Sequence, residues 1–169
     1  MQIEISNRQS LLEIDHDRVS AAVTAVLNGE SVSEAKISIA IVGNAQIHDT
    51  NRRFLNHDFA TDVITFNMSD DDDGFKLPDE TESETDGVLQ GDIMVSAEYA
   101  IESAKKYDWS PNDELMLYII HGSLHLSGYD DLNDSDRQVM REKESHYLQL
   151  LGMNVPAGHS HTPGDGDVS

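Results

Sequence analysis

The residues best suited to chemistry in this chain lie in one run, His121-Gly-Ser-Leu-His125-Leu-Ser-Gly128-Tyr-Asp-Asp131. Two histidines four positions apart share one face of a helix, about one turn apart, so both imidazoles can reach a common point. Gly128 permits the left-handed residue that turns a chain out of a helix. Asp131 then follows closely enough to swing back toward the pair. Two nitrogens and one carboxylate oxygen, with an open fourth position, suit a catalytic zinc ion. The bland alternative is a pair of hydrogen-bonded core histidines, with Asp131 merely capping the next helix. The setting favours the metal, because both histidines sit in the most apolar stretch of the chain, Leu115 to Leu126, where an unpartnered polar group is costly. Asp130, Asp134 and Asp136 compete with Asp131 for the carboxylate role. His16, His48, His57 and His146 show no comparable pattern, and His159 and His161 fall near the end of the chain. The absence of cysteine excludes disulfides, a thiolate nucleophile and any Cys-built zinc or iron–sulfur centre.

The elements that must position these residues can be read from periodicity and punctuation. Residues 2–6 alternate as a short strand, 36–43 form a β-branched strand, and 62–68 and 88–95 read as two more. Asp15 is an N-cap for a helix that ends at Asn28-Gly29, and Asn44 is a cap for the next helix, residues 45–56. Ser96 opens a helix that runs through Ile101 and Lys105. Ser110-Pro111-Asn112-Asp113 opens the histidine-bearing helix, whose apolar residues cover nearly its whole circumference, so it must be buried and central. A last helix spans about residues 134–151. Strands alternating with helices, then helices grouped at the end, predict one α/β or α+β layered domain over residues 1–152.

Charge limits what such a domain can bind. The 169 residues hold 32 acidic and 11 basic side chains, a net of −21, which disfavours broad contact with nucleic-acid phosphates. Residues 69–87 alone carry nine acidic residues against Lys76, and their composition predicts a flexible insertion between two strands. Residues 153–169 read as a disordered tail. The longest apolar run is 12 residues, too short to span a bilayer, and the first residues lack a signal-peptide pattern, so a cytoplasmic protein is expected.

The H-x₃-H-x₂-G-x₂-D spacing is similar to that of metzincin proteases, in which a Glu after the first His is the general base. Here that position is Gly122, which weakens a protease reading. The chain more fully resembles the YbeY family of metal-dependent endoribonucleases. HGSLHLSGYDD, residues 121–131, follows that family's H-G-x-L-H-L-x-G-[YH]-D-H signature except at the last position, where Asp131 replaces a third histidine. Thr61 to Phe66 (TDVITF) and Gly91 to Ser96 (GDIMVS) match two further family blocks. The resemblance covers about residues 2–152.

It implies an α+β fold with a mostly parallel four-stranded sheet, and one zinc ion per chain held by His121, His125 and Asp131. It also implies cleavage of single-stranded RNA in ribosomal RNA maturation and ribosome quality control, with the small ribosomal subunit and ribosome-associated proteins as partners. Asp130 and Asp92 lie in matched blocks and are candidates for the general base. Where family members carry an RNA-contacting arginine, this chain has Leu55, and Arg52 or Arg53 would have to substitute. A zinc hydrolase acting on peptides or small molecules, and a non-catalytic ribosome-associated metalloprotein, are the competing expectations.

Overall fold

A computed structural model describes residues 1–56, 61–68, 88–153 and 156. The expected flexible insertion at 69–87 and nearly all of the expected tail lie outside the described residues. The element order is β1 (Gln2–Asn7), α1 (His16–Gly29), β2 (Ala35–Val42), α2 (Asn44–Leu55), β3 (Val63–Asn67), β4 (Leu89–Ser96), α3 (Ala97–Tyr107), α4 (Pro111–Leu126) and α5 (Asp134–Leu150). The four strands form one sheet in the order β1-β2-β4-β3. The first three are parallel, and β3 pairs antiparallel with β4. An α+β fold with a mostly parallel sheet is therefore what the chain adopts.

Strand alternation sorts side chains onto the two faces of the sheet. Ile37, Ile39, Ile41, Ile93 and Val95 point to one face and pack with Val19, Val23, Val26 and Leu27 of α1 and with the apolar residues of α4. Met140, Tyr147 and Leu148 of α5 join the same core. On the other face a smaller cluster of Val42, Ile47 and Ile64 is closed by α2, with Leu55, Phe66 and Met94 at its margin. Helix α4 is the centrepiece: twelve of its sixteen residues are buried. Its apolar circumference has partners on all sides, from the sheet, α1, α3 and α5. Among the described residues no helix is long and apolar enough to cross a membrane.

Side-chain caps fix where the helices begin. Asp15, Ser96, Ser110 and Asn133 each accept a backbone N–H from the first turn that follows. One expected cap is different. Gly43 occupies the cap position of α2, and Asn44 is the first helical residue. The backbone N–H of Asn44 is satisfied by the Glu98 carboxylate of α3 at 2.9 Å, while its side-chain oxygen accepts from the Ser96 hydroxyl at 2.7 Å. A neighbouring helix thus does the work expected of a local side chain.

Candidate metal centre

The exit of α4 is where the two histidines and the carboxylate are brought together. Gly128 has φ = 110°. Its N–H donates to the His125 carbonyl, and the N–H of Tyr129 donates to the Leu124 carbonyl, both at 3.1 Å. This pair of bonds is the Schellman arrangement, which ends a helix and reverses the chain. The reversal returns Asp131 to the face of α4 that carries the histidines. Asn133, not Asp131, caps α5, so capping does not account for Asp131.

The ligand atoms of the three side chains form a tight triangle. Nε2 of His121 lies 2.9 Å from Nε2 of His125, and Oδ2 of Asp131 lies 3.6 Å from each. A tetrahedral zinc ion with bonds of roughly 2.0–2.2 Å keeps its ligand atoms about 3.3 Å apart, so the triangle is of the right size. Oδ2 of Asp131 is buried and, among the described residues, has no hydrogen-bond partner. Leaving such an acceptor unsatisfied costs about 1–3 kcal/mol, and more when it is charged. A cation inside the triangle removes that cost, and the donor set therefore fits the metal.

Behind the triangle stands a residue that motif reasoning did not reach. Oε2 of Glu144, on α5, lies 2.8 Å from Nδ1 of His121, and both side chains are buried. A carboxylate can only accept here, so Nδ1 carries the proton and Nε2 presents its lone pair to the triangle. The clue in the sequence is a helical stripe. Met140, Glu144, Tyr147 and Leu148 are the buried residues of α5, and Glu144 is the one carboxylate among them. Farther along, an Arg137 guanidinium nitrogen lies 3.4 Å from the Asp131 carbonyl oxygen and steadies the loop from the α5 side. The same guanidinium, hydrogen-bonded and charged beside Asp134, holds that carboxyl below its usual range.

Gly122, between the histidines, is set against the sheet. A Cβ there would lie 3.0 Å from Cγ2 of Thr65 and 3.1 Å from Cγ2 of Ile93. Both neighbours are β-branched and stiff. A glutamate here, as in the metzincins, would have to push these neighbours in β3 and β4 aside by a few tenths of an ångström.

The remaining predicted residues are distributed differently. Asp130 is exposed and adjacent to Asp131 in the loop. Asp92 alternates with Ile93 on β4 and points to the opposite face of the sheet from α4. There it lines a 640 Å³ depression with Glu4, Ser6, Arg8, Ser38 and Phe66. Asp92 is therefore not gathered with the histidines. Arg52 and Arg53 occupy the last turn of α2 and share one partner, with Asp49 at 2.9 Å from Arg52 and 3.2 Å from Arg53.

A model of the family described as Endoribonuclease YbeY matches residues 4–152. The protein of that name from Desulforamulus reducens is 37% identical over 155 residues, covering 91% of this chain and 95% of the relative. The one from Alkaliphilus metalliredigens is 32% identical over 157 residues, covering 90% and 97%. The solution structure of TM1509 from Thermotoga maritima superposes with a TM-score of 0.54 at 22% identity, covering 89% of each chain, a likeness of fold.

Proposed function

The chain belongs to the endoribonuclease YbeY family, and on that footing we propose that it is a zinc-dependent endoribonuclease cutting single-stranded RNA during ribosomal RNA maturation and quality control. The observation that carries the metal half of this reading is the triangle of His121, His125 and Asp131, with its buried, unsatisfied oxygen. Those three residues would hold one ion per chain. When bound, a divalent cation supplies Lewis acidity toward a phosphoryl oxygen and makes a nearby water easier to deprotonate. The protein's own groups do the rest. Glu144 keeps His121 in the tautomer that faces the site. Asp130, exposed beside Asp131, is the candidate proton acceptor. Asp92, the other candidate, lies on the far face of the sheet, which favours Asp130 over it. Arg52 and Arg53 are the candidate phosphate contacts, with a charge partly offset by Asp49. The small ribosomal subunit would be the partner and the cytoplasm the setting. A peptide hydrolase with the metzincin general base is disfavoured by the packing at Gly122.

The test uses protein stripped with a chelator and assayed on a single-stranded RNA with zinc added back. Cleavage is expected to return in the parent chain and to fall by at least about a hundredfold in His121→Ala. Cleavage unaffected by that substitution would overturn the metal reading. Cleavage of casein with RNA left intact would transfer the site to peptides.

A further inference from the structure

We propose that Glu30 is a positioning residue for the metal centre, fixing the loop that carries Asp131 through the hydroxyl of Tyr129. This rests on the metal assignment above and adds a group 91 or more positions away in sequence from every ligand. Glu30 follows the last turn of α1, and its side chain is only 7% exposed. Its two carboxylate oxygens are taken up by three donors. Oε1 accepts the hydroxyl of Tyr129, and Oε2 accepts the hydroxyl of Tyr147 and the Lys143 ammonium, the latter at 3.3 Å. The same ammonium lies 5.6 Å from the centroid of the Tyr129 ring, within range of a cation–π contact.

The arrangement joins three pieces of chain at one point. Tyr129 belongs to the α4 exit and stands two residues before Asp131, while Lys143 and Tyr147 flank Glu144 on α5. The Tyr129 backbone is already bonded to Leu124. Its side chain therefore supplies the second attachment, and with both in place the direction in which the chain enters Asp131 is fixed. Gly29 makes the approach possible from the α1 side, because a Cβ there would lie 2.2 Å from the Tyr147 hydroxyl oxygen. A loop without this attachment, held by its backbone and by Arg137 alone, would present Asp131 with more freedom, and ordering it would then be charged against metal binding. Groups that orient metal ligands from behind are typically worth about 10–100-fold in affinity.

The experiment is a zinc-binding measurement on the full chain by competition with a chromophoric chelator, paired with thermal unfolding of the metal-free protein. Tyr129→Phe and Glu30→Gln are expected to weaken zinc binding by about tenfold, near the lower end of that range because they act at one remove. Ile47→Val, in the small apolar cluster on the other face of the sheet, is the stability control and is expected to stay within about twofold of the parent affinity while its Tm falls. Parent-like affinity in Tyr129→Phe would overturn the proposal. So would losses in affinity that merely track the loss in Tm across all three variants. Retention of zinc by His121→Ala is a separate failure, since it removes the metal assignment itself.

Discussion

At the residue scale the centre consists of three inward-facing atoms and one carboxylate behind them. The spacing of His121 and His125 was enough to predict that their rings converge, because helical geometry alone brings positions i and i+4 together. Glu144 was not visible in that way. Its contact with His121 spans 23 positions and depends on how α5 lies across α4, which no local pattern states. Only its intrusion into an apolar stripe marks it. Glu144→Gln tests what it contributes. The amide can still accept from Nδ1, but without charge, so the fold should be retained while zinc affinity drops by about tenfold, measured by chelator competition. Loss of helical structure in the metal-free variant would instead assign Glu144 to the core.

At the scale of elements, boundaries announced by caps and breakers were legible, and contacts between elements were not. Ser96, Ser110-Pro111 and Gly128 mark helix limits because each answers a local backbone need. Asn44 looked like the same kind of signal, yet Glu98 of α3 takes that role, a partner set by tertiary packing. The junction of α1, α5 and the α4 exit at Glu30 is likewise tertiary, and it has a pH signature. Burial pushes the Glu30 carboxyl up, but hydrogen bonds from Tyr129, Tyr147 and Lys143, with the charge of Lys143, outweigh it and hold the group below its ordinary value. A depressed carboxylate contributes stability that is present above its unfolded pKa and is lost as pH falls through the folded one. The Tm difference between the parent chain and Glu30→Gln should therefore be largest near neutral pH and shrink below about pH 4.5. A difference that stays constant through that acid range would mean that Glu30 has no charged role in the junction.

For the molecule as a whole, the net charge of −21 sets the terms on which an RNA could be held. Each phosphate contact on a single strand contributes a slope of about −0.7 in log affinity against log salt. If Arg52 and Arg53 each meet a phosphate, the double variant Arg52→Gln/Arg53→Gln should bind a single-stranded RNA more weakly and with a slope shallower by about 1.4. An unchanged slope would remove both arginines from the interface. Their sharing of Asp49 could not be read from composition, though the charge imbalance could. The sheet order carries a different kind of consequence. Because β3 and β4 are antiparallel neighbours, their pairing requires no crossover, and a link of any sufficient length is compatible with the register of Val63 opposite Val95. Closing such a link becomes harder only with the logarithm of its length. That joint is therefore a splice point, where a lineage or an engineer can graft new sequence onto the enzyme and leave the α4 helix undisturbed.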